Sequence, residues 1–338
     1  MQVTQFDAVT ASDDQLAQWL EVLNAMTEAD MPNEPRWRLD RFREYLTVTM
    51  PGERRIAYTA VDDDGRMAGN ANLLLFGGEY DKTGVFEIFM HPDKRGRGVA
   101  RKMLTTIAER AYEEGRDTIG VEVIASTPAV GFYDRLGFSR AVVENRHLLS
   151  MTEVDWDRIE TSAKKVGAGY RLEYYEGGLP DDLLERYAAT KAHMKTDPAD
   201  VAGSWRGSAD AQRLRDSLST LAQRGMRTHV VVALAGPMDK VVGLTELVVA
   251  AQRPTRADQY DTVVALGHRS YGLGMAMKAR MLCELRDREP QLNDVQTWTL
   301  LDGDPEAFVD TELGFSNDVQ WFEYEASVPD LLERLRSN

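Results

Sequence analysis

The segment Lys94–Lys102, with the sequence KRGRGVARK, has the composition of an anion-binding loop. It holds five cations and no acidic residue, in a chain whose net charge is -15. Gly96 and Gly98 stand where an amphipathic helix is predicted to begin. A helix N-terminus offers unpaired N–H groups and the positive end of a dipole, and glycine lets a ligand approach the backbone closely. The segment predicts a phosphate or pyrophosphate site, with a solvated basic turn as the alternative.

Two common phosphate-binding motifs do not fit this segment. The chain has no G-x-x-x-x-G-K-[ST] pattern, and RGRGVA lacks the glycine spacing of a dinucleotide site. The segment also follows three predicted strands, whereas a Rossmann loop follows the first strand of its domain. The loop therefore belongs to another class of phosphate site.

A second loop of the same pattern lies 174 residues further along the chain. Arg95-x-x-Gly98-x-Ala100 is matched by Arg269-x-x-Gly272-x-Gly274. The sequences YDRLGF (133–138) and DTELGF (310–315) follow the two loops at nearly equal distances. Two matches in the same order at a domain-sized interval predict two similar domains.

Hydrophobic periodicity predicts the elements that position these motifs. In the first half we expect helices at 13–31 and 37–49, then strands in RIAYTAVD, MAGNANLLLF and GVFEIFM. The glycine loop then opens a helix that ends near Gly115. A strand in TIGVEVIA, a short helix from Pro128 to Gly137 and a final hairpin in SRAVVENRHLLSM complete this half.

The second half repeats this order of elements. Helices are predicted at 180–195, 209–224 and 272–288, with a short helix from Pro305 and strands between and after them. We therefore expect an α/β fold with two tandem domains, each a central mixed, mostly antiparallel sheet flanked by helices. The expected bounds are 1–152 and 170–338, joined by a linker at 153–169.

Composition narrows the classes of partner and location. The chain has 338 residues, of which 43% are hydrophobic, and no apolar run is long enough to cross a bilayer. The N-terminal residues lack the features of a signal peptide. The single cysteine, Cys283, excludes an internal disulfide and is typical of a reducing compartment, so we expect a cytoplasmic protein. The acidic charge disfavours nucleic acid and anionic membranes as partners and is compatible with a cationic one.

Together the two loops and the two Gly-Phe motifs resemble the Gcn5-related N-acetyltransferase (GNAT) superfamily. Its signature, Arg/Gln-x-x-Gly-x-Gly/Ala followed by Tyr-x-x-x-Gly-Phe, is matched in the first half by Arg95, Gly98 and Ala100 and then by Tyr133 to Phe138. The second half matches the loop of this signature and the Gly-Phe pair at the end of its second motif. The tandem layout is similar to that of the mycothiol synthase family. The resemblance covers most of the chain.

The resemblance implies that acetyl-CoA is the co-substrate and that backbone N–H groups around the first loop hold its pyrophosphate. It also implies that the strand over residues 85–90 diverges from the next strand, with a bulge that frees backbone groups for the acyl group. The residues implied in CoA binding are Phe89, Met90, Arg95, Gly96, Arg97, Gly98, Val99, Ala100, Arg101, Arg269, Gly272 and Gly274.

The resemblance further implies two catalytic roles. Tyr133 corresponds to the usual proton donor to the CoA sulfur, and Glu87 lies on the strand where the family often places the base for the amine. Asp261 stands at the same distance from its loop as Glu87 does, but Asp310 replaces the tyrosine in the second half. We therefore favour the first domain as the catalytic one. The opposite assignment stays open, because the C-terminal domain is the active one in mycothiol synthase.

Candidate residues for the acceptor lie between the first two helices of each half. Asp30, Glu34 and Trp37 are the candidates in the first half, and Asp197 and Trp205 are their counterparts in the second. The five histidines show no ligand spacing with one another or with Cys283, so no metal site is expected. Cys283 lies among apolar residues of a predicted helix and is expected to be a core residue.

The expected function is an acetyl-CoA-dependent N-acetyltransferase acting on the amine of a small molecule, as a monomer or a homodimer. One alternative is an acyl or aminoacyl transferase with another donor, such as an aminoacyl-tRNA. The other is a CoA-binding module without catalysis. The acidic charge of the chain argues against tRNA but does not exclude a local basic face.

Overall fold

The computed structural model describes residues 1–192, 211–300 and 305–337. The chain forms two compact units. Unit 1 comprises Met1–Glu144 and Val319–Asn338, and unit 2 comprises Asn145–Asp318.

Unit 1 is a mixed sheet flanked by helices. Its strands are β1 (Gln2–Phe6), β2 (Glu53–Val61), β3 (Met67–Phe76), β4 (Thr83–Met90), β5 (Thr118–Ile124) and parts of β6 (Ser139–Ser150) and β12 (Ser316–Ser327). Its helices are α1 (Asp13–Asp30), α2 (Phe42–Thr47), α3 (Val99–Glu113), α4 (Ala129–Arg135) and α10 (Val328–Ser337). The strands are ordered β1-β2-β3-β4-β5-β12, and each pair is antiparallel except β4-β5, which is parallel.

The two faces of this sheet carry different helices. On one face α3, α4 and α10 form an apolar core with β2 to β5 and β12. On the other face α1 and α2 pack together with β1 and β2, and α1 also contacts β3 and β4. Alternation along each strand therefore decides whether a side chain points towards α3 or towards α1.

Helix α3 shows why the sequence forms these elements. Its apolar positions recur at helical spacing, and the face that they form is wholly buried against the sheet, including Met103, Leu104 and Ile107. Burial of each such side chain contributes about 1.5–3 kcal/mol. Gly98 caps the helix at its start in the left-handed conformation, and the helix ends one residue before Glu114.

Unit 2 repeats this arrangement. Its strands are β7 (Tyr170–Glu176), β8 (Met226–Ala235), β9 (Lys240–Ala250), β10 (Arg256–Val264), β11 (Asp294–Leu300) and the second half of β6. Its helices are α5 (Trp156–Lys164), α6 (Asp181–Ala192), α7 (Ala211–Gln223), α8 (Leu273–Arg288) and α9 (Pro305–Leu313). The strand order is β7-β8-β9-β10-β11-β6, with β10 and β11 parallel as β4 and β5 are in unit 1. The predicted fold class, two tandem domains with mixed and mostly antiparallel sheets, is confirmed.

The bounds of the two units differ from those expected. The last strand of each unit comes from the other half of the chain, because β12 pairs with β5, residue by residue from Trp321 with Ile124 to Ser327 with Thr118. The segment 153–169, expected as a linker, contains α5, which packs on α8 and buries Ile159. Local sequence patterns concern neighbouring residues, so they do not predict a pairing between strands about 200 residues apart.

Five elements differ from the local predictions. The sequence SRAVVENRHLLSM is one continuous strand, β6, and not a hairpin, because its centre holds no glycine or proline and Asn145 is not followed by the glycine of a tight hairpin turn. Helix α2 is shorter than expected, since the Asn24 side chain holds the backbone N–H and C=O of Trp37 outside the helix. The edge strands β1 and β7 and the helix α10 were not predicted. Each is short, and its apolar residues find partners only in the tertiary structure.

No helix in the described parts of the chain combines the length and the low polarity that a membrane span needs.

Candidate functional site

The loop before α3 has the geometry of an anion-binding turn. Gly96 and Gly98 adopt left-handed backbone angles, with φ of 73° and 76°, and a side chain at either position would point into open space. The first bond of the helix runs from Lys102 N–H to Gly98 C=O. Among the described residues, no acceptor pairs with the backbone N–H groups of residues 96–101. The loop thus presents a row of six consecutive donors at a helix N-terminus.

Several cations of this loop are already engaged. Arg95 makes two hydrogen bonds of 2.7 Å to the carboxylate of Asp30, at the end of α1. Lys94 donates to Asp62 at 2.7 Å and lowers the pKa of that carboxyl to about 2. These side chains position the loop, because Lys94 and Arg95 each have a carboxylate partner within unit 1.

The side chains of the other three cations of the loop differ in the hydrogen bonds that they make. Arg101 donates to the carbonyls of Arg334 and Leu335 at the end of α10. Arg97 makes one hydrogen bond to the Asp93 carbonyl, at 3.0 Å, and the exposed Lys102 has no ion pair among the described residues. Arg97 and Lys102 are therefore the side chains best able to contact phosphate groups.

Unit 2 contains a loop of the same shape. Gly272 caps α8 with a φ of 73°, and the donors of residues 270–275 are unpaired among the described residues. Ser270 takes the place of Gly96 and keeps its left-handed conformation, with a φ of 69°, which a serine adopts with strain. Arg269 bonds to the Val264 carbonyl at 3.1 Å. Both predicted loops thus form in the structure.

Strands β4 and β5 separate beside the first loop. They pair only from Thr83 with Thr118 to Val85 with Gly120, and the rest of β4 has no partner on that side. Residues 86–90, with Phe89 half-buried and Met90 buried, line this gap. The predicted divergence of the two strands is present in the structure.

The predicted bulge in β4 is absent. Pairing of β4 with β3 runs without a shift from Gly84 to Met90. The irregularity lies in unit 2, where β10 shifts against β9 between Gln259 and Thr262. In unit 1 the gap between β4 and β5 alone leaves backbone groups of β4 unpaired.

Glu87 lies in the unpaired part of β4 and faces α1. Its Oε2 accepts a hydrogen bond of 2.8 Å from Nδ2 of Asn72 on β3. No cation pairs with Glu87 among the described residues, and its side chain is half-buried. A carboxylate held by a neutral amide is able to accept a proton or bind an ammonium group.

Tyr133 lies on the opposite face of the sheet, in α4. Its ring is 4% exposed and packs against Phe86, Phe132, Phe138 and Tyr324. Burial raises the pKa of the Tyr133 hydroxyl well above its usual value. The hydroxyl therefore keeps its proton at neutral pH and is available as a donor.

Three further carboxylates near Glu87 were missed by sequence reasoning. Desolvation, followed by the charges of Glu144, Glu323 and Glu87, raises the pKa of Glu122 to about 7. Desolvation and Glu323 raise the pKa of Glu144 to about 7, and desolvation raises that of Glu323. Water nevertheless reaches Glu122, whose side chain is exposed, so the group stands at the surface of unit 1. The signal was present as glutamates that alternate with apolar residues, one in TIGVEVIA and two in VQWFEYEA.

The equivalent positions of unit 2 are neutralised by lysines. Asp310, at the position of Tyr133, pairs with Lys278 at 2.7 Å, and the two side chains are 0% and 2% exposed. Asp261, at the position of Glu87, pairs with Lys191 at 3.0 Å. Glu246 also pairs with Lys191. Burial opposes the charge of Lys191, but the two carboxylates raise its pKa above the usual value.

The predicted acceptor residues have mixed roles. Asp30 is committed to Arg95, and Trp37 packs edge-on against Tyr45 at the end of the α1 to α2 connection. Glu34 is half-buried in the same connection. Asp197 and Trp205 lie outside the described residues. The structure therefore gives Asp30 and Trp37 positioning contacts within unit 1.

Two other predictions concern reactive and metal-binding residues. Cys283 is half-buried in α8 against the core of unit 2, and desolvation raises the pKa of its thiol. Within residues 1–192, 211–300 and 305–337, no three His, Cys, Asp or Glu side chains are arranged to hold a metal ion.

Comparison with known proteins identifies the fold and one domain. The model of the acetyltransferase (GNAT) family matches residues 18–138. No curated protein matches the chain in sequence. A tandem GNAT protein from the clavulanic acid biosynthesis pathway superimposes with a TM-score of 0.83 and 22% identity, covering 97% of this chain and 98% of that chain.

Two further solved structures share the fold. A GCN5-related N-acetyltransferase from Sphaerobacter thermophilus has a TM-score of 0.66 and 13% identity, covering 97% of this chain and 95% of that chain. A GCN5-related glucosamine N-acetyltransferase region of a fungal multi-domain GH3 β-N-acetylglucosaminidase has a TM-score of 0.68 and 14% identity, covering 96% of this chain and 38% of that chain. Residues 18–138 therefore match the acetyltransferase (GNAT) family model, and the chain as a whole shares its fold with a solved tandem GNAT protein.

Proposed function

We propose that the protein is an acetyl-CoA-dependent N-acetyltransferase that acts on the amine of a small molecule, with unit 1 as the catalytic unit. One contrast between the units carries this proposal. Unit 1 combines an anion-binding loop with a carboxylate and a tyrosine that are free of ion pairs, whereas both equivalent groups of unit 2 are paired with lysines.

The first loop would hold the pyrophosphate of acetyl-CoA. The six backbone donors of residues 96–101 supply hydrogen bonds, and Arg97 and Lys102 supply positive charge. The gap between β4 and β5 offers unpaired backbone groups of β4 for the remainder of the molecule. In this proposal Arg95 and Arg101 contribute through their backbone N–H groups, since their side chains are held by Asp30 and α10.

The chain's own residues would then move two protons. The Glu87 carboxylate accepts a proton from the acceptor ammonium, which leaves a neutral amine nitrogen with a free electron pair. As the new C–N bond forms and the C–S bond of the thioester breaks, the Tyr133 hydroxyl donates its proton to the departing sulfur. The Glu87 proton passes to solvent, and the second proton that the nitrogen loses as the amide forms restores the Tyr133 hydroxyl, so that the amide, the CoA thiol and one solvent proton are the products.

For unit 2 we propose CoA binding without catalysis. Its loop has the same donors and the same cap as that of unit 1. Asp310 and Asp261 are paired with Lys278 and Lys191, so these positions of unit 2 provide neither a neutral hydroxyl like that of Tyr133 nor a carboxylate bonded to an amide like that of Glu87. The loop of unit 2 therefore supports a binding role.

The proposal is tested by measuring CoA release from acetyl-CoA across a panel of amines, with an aminoacyl-tRNA donor assayed in parallel. We expect release that depends on a small amine. Transfer from the aminoacyl-tRNA alone would favour a different donor. A protein that neither binds CoA in calorimetry nor releases it would contradict the proposal.

A matched pair of variants assigns the catalytic unit. Ala100 and Gly274 are the second residues of α3 and α8 and have ordinary backbone angles. An aspartate there favours the helix dipole but repels a pyrophosphate by about 4 kcal/mol at a 4 Å separation. We expect Ala100→Asp to reduce CoA release by at least a hundredfold and Gly274→Asp to leave it nearly unchanged. The reverse result would assign catalysis to unit 2.

A further inference from the structure

Unit 1 gathers four carboxylates on the face of its sheet that points away from α3. They are Glu87 on β4, Glu122 on β5, Glu144 on β6 and Glu323 on β12. Their neighbours Phe86, Val121, Val123, Val143 and Phe322 pack into the core on the α3 side, so alternation directs the four glutamates to the other face. Glu122 and Glu323 are direct partners across two antiparallel strands.

This acidic group is unfavourable for the free protein. Like charges placed directly opposite each other destabilise a sheet, and partial burial removes part of the water that would screen them. No lysine, arginine or histidine pairs with any of the four carboxylates in the described parts of the chain. These carboxylates destabilise the free protein and have no cation partner among the described residues. A group of this kind is suited to bind a cationic ligand.

A buried amide beside the group also lacks a partner. Asn72 is 2% exposed, and its Nδ2 donates to Glu87 at 2.8 Å. Its Oδ1 has no hydrogen-bond partner among the described residues. A buried acceptor without a donor is costly, so this oxygen calls for an N–H group from a ligand. Asn72 thus places a second acceptor next to the Glu87 carboxylate.

Unit 2 shows which ligand chemistry suits this place in the fold. Glu246 and Asp261 lie 174 residues after Asn72 and Glu87, on the equivalent strands β9 and β10. They hold the ammonium group of Lys191, which comes from α6. The equivalent helix of unit 1, α1, contains no lysine or arginine. Among the described residues no cation takes the place of Lys191 in unit 1, so this place is open to the ammonium group of a ligand.

We propose that the acceptor of unit 1 is a diamine or polyamine. Its reacting amine lies at Glu87 and Asn72, and a second ammonium is held by Glu122, Glu144 and Glu323. This inference rests on the proposed function of unit 1 as an acetyltransferase. Paired strands are about 4.8 Å apart and β4 diverges from β5 beyond Val85, so Glu87 lies more than about 5 Å from Glu122 and more than about 10 Å from Glu323. A diamine with a chain of several methylene groups can span such a separation between its two ammonium groups.

The test compares two probes that differ by one charge, 1,6-diaminohexane and hexylamine. Calorimetry on the full-length protein measures their binding directly, and CoA release measures their use as acceptors. We expect the diamine to bind at least tenfold more tightly and to show the higher kcat/KM, because it adds a charge-assisted hydrogen bond in a partly desolvated site. Because binding favours ionised carboxylates, diamine affinity should rise from pH 6 to pH 8 with proton release.

Two variants separate this site from a general acidic surface. Glu122→Gln with Glu323→Gln should remove the preference for the diamine while CoA binding is retained. Glu325→Gln, which changes an exposed glutamate two residues further along β12, should keep the preference. The comparison of the two probes uses the unaltered protein, so its result does not depend on whether a variant folds.

Each outcome has a definite meaning. Equal binding of the two amines, or a preference that survives the double variant, would overturn the inference. Efficient CoA release with monoamines as good as diamines would also overturn it and would leave the proposed acetyltransferase intact. Tight and selective diamine binding without any CoA release would instead support the cation site and count against the proposed function.

Discussion

At the scale of single residues, the two units differ most at the position of Tyr133. Tyr133 is a buried neutral hydroxyl among aromatic rings, and Asp310 is a buried anion bound to Lys278. The residue that packs beside this position also differs between the units. The core residue Leu104 of α3 corresponds to Lys278 of α8. A polar pair in one unit thus replaces an apolar residue and a phenol in the other, which removes the proton donor from unit 2.

The first prediction concerns Tyr133. Replacement with phenylalanine removes only the hydroxyl, so the aromatic packing should remain. We expect kcat for CoA release to fall by about 10²–10⁴, the usual contribution of a positioned proton donor, while CoA affinity changes little. Steady-state kinetics and calorimetry measure the two quantities. The control is Tyr112→Phe, which alters an exposed tyrosine of α3 and should have no effect. An unchanged kcat in the Tyr133 variant would remove this residue from the mechanism.

The second prediction concerns the pH dependence of stability at Glu122. Desolvation and the facing charges of Glu144, Glu323 and Glu87 raise its pKa to about 7. The folded state therefore binds more protons than the unfolded state between about pH 4.3 and 7, and the stability contributed by this group is lost as the pH rises through that range. We expect Glu122→Gln to melt about 2 °C or more above the unaltered protein at pH 8, and close to it at pH 5. A greater gain at pH 5 than at pH 8 would contradict this reading.

At the scale of elements, the ion pair of Lys278 and Asp310 joins α8 to α9. Both side chains are buried, so removal of one partner takes this ion pair away from a charge that stays in the core. We expect Asp310→Asn to destabilise unit 2 by about 3–5 kcal/mol. The double variant Lys278→Met with Asp310→Leu should recover most of that loss, because it removes both charges. Denaturant unfolding followed by near-UV circular dichroism measures the effect.

The same variants bear on the assignment of catalysis. If unit 1 is the catalytic unit, CoA release by the double variant should match that of the unaltered protein at temperatures where unit 2 stays folded. A loss of activity in the folded double variant would instead give Asp310 a chemical role.

Local patterns in the sequence predicted most elements but not their partners. Helix α3, strands β2 to β5 and the short helix α4 were expected nearly as they occur, because each has a clear apolar period and turn residues at its ends. β12 was expected as a strand, but its place beside β5 was not. Such pairing depends on which strand edge is open in the folded sheet. The hydrophobic period of a strand does not show which edge that is.

The site was predictable to a similar extent. The two glycine loops follow from residue types and spacing, since left-handed glycines before a helix have few other uses. The engagement of Arg95 by Asp30 was not predictable, because 65 residues separate the pair in sequence. The group of Glu122, Glu144 and Glu323 was missed for the same reason, as its members lie on three strands that are far apart in sequence.

At the scale of the whole molecule, the exchange of final strands makes each unit depend on both halves of the chain. Unit 1 needs β12 and α10, which supply Phe322, Tyr324, Val328 and Leu331 to its core. Unit 2 needs the second half of β6 and the helix α5 that follows it. Division of the chain near residue 152 therefore does not separate two complete domains.

The last prediction follows from this dependence. A chain that ends at Asp318 keeps every element of unit 2 but deprives unit 1 of the strand that pairs with β5 and of α10. Six buried apolar residues are lost with them: Phe322, Tyr324, Val328, Leu331, Leu332 and Leu335. At about 1.5–3 kcal/mol each, their loss is comparable with the whole stability of a domain. We expect calorimetry to show the unfolding of unit 2 alone, and CoA release to be absent.

Two further chains make this prediction specific. A chain that ends at Ser337 should behave like the full-length protein, since it keeps β12 and α10. Residues 1–152 joined by a flexible Gly/Ser linker to residues 316–338 should fold as unit 1 alone, because the linker restores the missing strand and helix in one chain. With unit 1 as the catalytic unit, that joined chain should release CoA. A fully active chain ending at Asp318 would show instead that catalysis needs neither β12 nor the Glu323 that it carries.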